Sequence, residues 1–227
     1  MTDVKKRIVA IGGGELRNFT TLKVDTFIRS LYTDEEKRPY ALFVPTASHD
    51  SKPYFNTFRK TYTSKLGCKV DVAILTKCEM TLEHIAGKIE KADIIYVGGG
   101  DTAYLLDIWR ETGFDKMMLD AYNQGKIICG LSAGAICWFQ RAHSDYLMIE
   151  GAGNEYAVLD GLGLIKGVCV PHFDEESRRT DVEKRLDELG HGYGICADSA
   201  ICFENGVPVK TVGKCFELDG EIKPLEL

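Results

Sequence analysis

A chain of 227 residues, 44% of them hydrophobic, is long enough to bury the core of one large α/β domain, and no linker-like stretch divides it. Its net charge of −6 offers no basic footprint for nucleic acid, and no apolar run approaches the ~18 residues of a membrane span. Residues 1–7 lead into a strand rather than into the apolar core of a secretion signal, so the expected location is cytoplasmic.

Along the chain, β-rich runs at residues 7–11, 40–44, 70–75, 94–97, 127–129 and 168–170 alternate with helical spacing at 18–31, 53–66, 81–91 and 102–123. This βαβ rhythm predicts a doubly wound, mostly parallel sheet with helices on both faces. Beyond a polar, helix-like stretch at 174–189 the pattern changes to short runs around 195 and at 200–204, 207–212 and 215–218. Turns at Asn205-Gly206 and Asp219-Gly220 mark these as C-terminal antiparallel strands. The connections 48–56 and 141–160 are long enough to wall a pocket.

Gly12-Gly13-Gly14 follows the first strand but lacks G-x-G-x-x-G spacing, because Arg17 stands where the third glycine belongs. Close backbone approach explains these glycines, and Glu15 would repel a pyrophosphate; no nucleotide or other cofactor is expected. Eight cysteines (Cys68, Cys78, Cys129, Cys137, Cys169, Cys196, Cys202, Cys215) form no C-x-x-C pair and several lie in apolar runs. They read as core packing, with no metal site.

Two glycine-bearing turns carry the chemistry. Gly98-Gly99-Gly100 follows the run at 94–97, and Gly130-Leu131-Ser132-Ala133-Gly134-Ala135 follows the run at 127–129, so both open at the same edge of a parallel sheet. The second has the form of a nucleophile elbow, with a serine on a tight strand-to-helix turn between residues that leave it room. Such a turn aims the Ala133 N–H and the positive end of the next helix at an oxyanion forming beside the Ser132 hydroxyl. A serine needs a base, and histidine is the usual one. His49, His84, His143 and His191 each fit a surface position, whereas His172 comes directly after the strand ending Val170-Pro171, where doubly wound sheets build their sites.

Tyr96-Val97-Gly98-Gly99-Gly100-Asp101-Thr102, Gly130-Leu131-Ser132-Ala133-Gly134-Ala135 and Val170-Pro171-His172-Phe173 together resemble, in order, the three signature blocks of the peptidase E family. That family includes aspartyl dipeptidases and, more distantly, cyanophycinase. The resemblance implies a fold like the class I glutamine amidotransferases with serine in place of their cysteine, and hydrolysis of a peptide bond next to an aspartate. It further implies Ser132 as nucleophile, His172 as general base, and Gly99 or Gly100 joining Ala133 in an oxyanion hole.

For the residue that orients His172, Asp145 and Asp198 compete, with Glu150 a nearby rival to Asp145; the family's late acidic residue aligns with Ala197, one place before Asp198. Arg178, in Glu176-Ser177-Arg178-Arg179, resembles the family arginine that holds the substrate's aspartate side chain. Its alternative is helix-surface charge spaced among Asp181, Glu183 and Asp187. Asp101 departs from the family's asparagine, which implies that its carboxylate points away from the oxyanion or that substrate choice differs. The expected partner is a small peptide substrate, and the chain is expected to be a monomer or homodimer. Alternatives on the same scaffold are a cyanophycinase-like or other serine amidase or esterase, and a catalytically silent binding module.

Overall fold

A computed structural model describes residues 4–77 and 80–227; Cys78 lies outside the described residues. The first half of the chain alternates Arg7–Ile11 (β1), Leu22–Ser30 (α1), Tyr40–Val44 (β2), Lys52–Ser64 (α2), Lys69–Val72 (β3), Leu82–Lys91 (α3), Ile94–Val97 (β4), Thr102–Thr112 (α4), Phe114–Asn123 (α5) and Ile127–Leu131 (β5). The second half runs Ala133–Ile136 (α6), Phe139–Ser144 (β6), Tyr146–Ile149 (α7), Ala157–Asp160 (β7), Ile165–Val170 (β8), Glu176–Lys184 (α8), Leu186–Leu189 (α9) and Gly192–Ile195 (β9). It ends with Ala200–Glu204 (β10), Val207–Val212 (β11), Cys215–Leu218 (β12) and Ile222–Pro224 (β13).

Five parallel strands and an antiparallel pair form a seven-stranded sheet in the order β11-β10-β1-β5-β4-β2-β3. Side chains alternate across it. Ile8 and Ala10 of β1 join a core shared with α3, α4 and α5, while Val9 and Ile11 join a second core under α1 and α2. Burial on both faces is why these strands read as unbroken apolar runs. The α/β, doubly wound arrangement with antiparallel C-terminal strands agrees with the expectation from sequence, with one refinement. The run at 168–170 belongs to a second, six-stranded sheet in the order β13-β12-β9-β8-β6-β7.

Other differences have local causes. The expected helix 102–123 is two helices, because Gly113 takes φ +74 and ends the first of them. The expected loop 141–160 contains the end of β6, α7 and β7. Its polar residues hid the strand: Arg141 donates to the Glu188 carbonyl at 3.1 Å, and His143 is wholly buried with its Nε2 2.9 Å from Asp181 Oδ2. His143 is therefore a core residue rather than a surface one.

The two sheets meet around α6, and the Ser144 hydroxyl donates across the junction to Thr102 Oγ1 at 3.2 Å. Among the described residues, no helix is long and apolar enough to cross a membrane.

Candidate active site

At the end of β5, Ser132 adopts φ +53, ψ −112, a conformation that costs a non-glycine residue about 1–3 kcal/mol and persists only where the surroundings enforce it. The enforcement is visible. The Ser132 N–H donates to the Ile11 carbonyl at 2.9 Å, and the Ser132 carbonyl accepts from the Ala135 and Ile136 N–H groups at 2.8 and 2.9 Å. A Cβ on Gly130 would run into the Gly134 carbonyl, and one on Gly134 into the Val97 carbonyl, so both flanking glycines are required by contact. The turn thus runs directly from strand to helix with a strained serine at its apex. The helix after it, α6, has only four residues, so the individual N–H groups at its start matter more than an extended dipole.

His172 follows β8 and is also left-handed, at φ +49. Its N–H donates to the Gly12 carbonyl at 2.9 Å. Its ring packs so close to Gly13 that a Cβ there would strike the imidazole, which explains this glycine of the run after β1 as a close approach. The result is an Nε2 lying 3.0 Å from Ser132 Oγ. Burial pushes the His172 pKa below its ordinary 6.5 and the Arg178 charge adds to this, while Glu175, Asp145 and Asp174 oppose it.

On the facing turn, the Gly99 N–H donates to the Tyr54 hydroxyl at 3.2 Å. That leaves Gly100, at φ +140 and too close to the Ala47 carbonyl for any side chain, and Ala133 with N–H groups that have no partner among the described residues. Of the two glycines named from sequence, Gly100 is the one with an uncommitted donor. Asp101 is buried, but its Oδ1 accepts from the Tyr104 N–H at 3.0 Å as the N-cap of α4, so its charge serves the helix.

Neither carboxylate named from sequence is hydrogen-bonded to His172. Asp145 Oδ2 accepts from Arg178 Nη2 at 2.8 Å, and Asp198 Oδ1 accepts from the Thr20 hydroxyl. Glu150 ends α7 on the surface. The carboxylate nearest to His172 Nδ1 is Glu175, at 3.7 Å, a residue that sequence reasoning passed over. Its signal was present as the spacing His172, Glu175, Arg178 across the start of a helix.

Arg178 is 1% exposed, which rules out the helix-surface reading. Besides Asp145 it contacts the His143 carbonyl at 3.3 Å and lies over the Tyr156 ring, 4.6 Å from its centre. Its Nε is buried without a hydrogen-bond partner among the described residues, 3.6 Å from Glu175 Oε2. Burial and Arg178 hold the His143 pKa down, opposed by Asp181; a neutral ring accepts at Nδ1, 3.4 Å from Arg178 Nη1, while donating from Nε2 to Asp181. The guanidinium is thereby fixed beside the serine–histidine pair. Among the described residues, no group of three His, Cys, Asp or Glu side chains is placed to hold a metal ion.

The fold has solved counterparts. The crystal structure of a peptidase from an acI-B1 Actinobacterium superposes with a TM-score of 0.73 at 20% identity, covering 97% of this chain and 94% of that one. The uncharacterized peptidase YgaJ of Bacillus subtilis is 32% identical over 211 residues, 91% of this chain and 87% of that protein. Peptidase E of Salmonella arizonae is 36% identical over 107 residues, 44% of each. The profile of peptidase family S51 matches residues 8–208, and the chain belongs to that family. It is a peptidase of the peptidase E group.

Proposed function

We propose that this peptidase is of the serine type and hydrolyses small peptides, above all dipeptides with an N-terminal aspartate. The observation that carries the reading is Ser132 held at φ +53 with its Oγ 3.0 Å from His172 Nε2. In this reading His172 takes the Ser132 proton as Oγ attacks the carbonyl carbon. The Gly100 and Ala133 N–H groups receive the oxyanion, and His172 returns the proton to the leaving amine. Water then resolves the acyl-enzyme by the same base. No step calls on a cofactor or metal.

The aspartate preference rests on Arg178, whose fork of donors matches a carboxylate. A second reading, an amidase or esterase without that preference, is favoured by the Asp145–Arg178 pair at 2.8 Å, which already offsets the guanidinium charge. The test compares the protein and Ser132→Ala on aspartyl, glutamyl and neutral dipeptides and a simple ester. Aspartyl turnover that disappears in Ser132→Ala supports the leading reading, and ester turnover alone supports the second. Full activity in Ser132→Ala would remove both, and a protein that turns over nothing returns the silent binding module.

A further inference from the structure

Among the described residues, the other acidic side chains around His172 are committed elsewhere: Asp145 to Arg178, Asp198 to Thr20, and Asp174 to the Ala197 N–H, from which it accepts at 2.7 Å. Glu175 differs. Its N–H donates to the His172 carbonyl at 3.0 Å, closing a turn that folds the side chain back beneath the ring. It is the N-cap residue of α8, yet its carboxylate makes no capping bond, so the helix does not use it. Oε1 lies 3.7 Å from His172 Nδ1 and Oε2 lies 3.6 Å from the partnerless Arg178 Nε. One carboxylate thus stands between two donors, just beyond hydrogen-bond length of each, a separation that catalytic contacts commonly close when substrate binds.

We propose that Glu175 is the positioning carboxylate for His172, with Arg178 holding it in place from the other side. Nδ1–H donates to Oε1, which fixes the tautomer that leaves Nε2 free to accept the Ser132 proton. The imidazolium that results is stabilised by the adjacent charge, and the proton stays on the ring until the leaving amine takes it. The inference rests on the serine reading above and extends it to a residue outside the motifs that suggested it.

The test reads Ser132 directly, without a known substrate, as the rate of labelling by a fluorophosphonate followed by intact mass across pH. Glu175→Gln keeps the shape and removes the charge. It should slow labelling by about 10- to 100-fold, less than the ~10⁴-fold of a buried triad aspartate. The groups facing His172 are Glu175, Arg178, Asp145 and Asp174, so removing the first negative charge should move the midpoint of the pH profile down. Glu175→Asp should recover part of the rate. Glu175 is half exposed and caps nothing, so thermal midpoints should hold.

Wild-type rate with an unmoved midpoint in Glu175→Gln overturns the proposal, as does a rate loss with an unmoved midpoint, the mark of a merely structural role. So does the same loss and shift appearing in Asp198→Asn instead. Failure of the wild type to label, with Ser132→Ala as the blank, removes the serine reading and this inference together; labelling in the wild type isolates Glu175.

Discussion

Ser132 is held by contacts that admit no spare atom. Gly130 and Gly134 face each other and the Val97 carbonyl so closely that a methyl group at either position must displace backbone rather than a side-chain tip. Overpacking of this kind costs about 1–3 kcal/mol and occasionally more. Gly134→Ala is therefore expected to lower the denaturant midpoint and to abolish fluorophosphonate labelling of Ser132. A variant that labels at the wild-type rate would show that the turn tolerates the shift. The sequence carries this much openly, because a glycine two places on either side of a serine encodes a steric requirement that needs no tertiary information. Glu175 was not legible in the same way. Its value comes from a turn and a helix start that set its two oxygens toward two different residues, and one more acidic residue in Asp174-Glu175-Glu176 looks like solvated charge.

At the scale of elements, β6 and α8 together build the guanidinium site. β6 supplies His143 and the approach to Asp145, α8 supplies Arg178 and Asp181, and the four side chains interlock across the gap. Arg178→Lys retains the charge but loses the fork, so KM for acidic dipeptides should rise by about 10- to 100-fold, the equivalent of a charged hydrogen bond of about 1.5–3 kcal/mol. Neutral dipeptides and esters should lose less, and in kcat rather than KM, because the same side chain steadies Glu175 in the inference above. Equal effects on acidic and neutral substrates, measured as kcat/KM on matched pairs, would separate Arg178 from specificity. The strands of the first sheet were legible because burial on both faces leaves them uniformly apolar. β6 was not, since Arg141, His143 and Ser144 satisfy their polar groups against other elements and so interrupt the pattern that marks a strand. The peptidase E resemblance and the α/β class, carried by glycine turns and apolar strands, agree with the family and the fold found.

For the whole molecule, pH acts on stability through a buried carboxylate outside the serine–histidine pair. Asp25 is fully buried in the core under α1 and α2, where the Thr21 and Tyr62 hydroxyls donate to it at 2.7 and 3.0 Å. Burial raises its pKa from 3.8 to about 6 against the opposing effect of those two bonds. The folded state therefore binds this proton more tightly than the unfolded chain does. The stabilisation is fully present below pH 3.8 and fades as pH rises through about 6, a loss on the order of 3 kcal/mol by neutrality. Asp25→Asn should remove that dependence. In urea titrations at about pH 4 and about pH 7, the variant's stability should gain on the wild type at the higher pH, and parallel behaviour at both would disprove the assignment.

The Ile11 and Gly12 carbonyls are neighbours in one stretch of backbone, and one receives the Ser132 N–H while the other receives the His172 N–H. Serine and histidine come from different sheets, yet their spacing is gauged by two successive carbonyls where β1 ends, beside β5. The segment after β1 is in effect a caliper. The Ser132 jaw is fixed within the first sheet, so rocking of the second sheet against the first loads the Gly12–His172 jaw alone, and the pair parts only when that one bond gives.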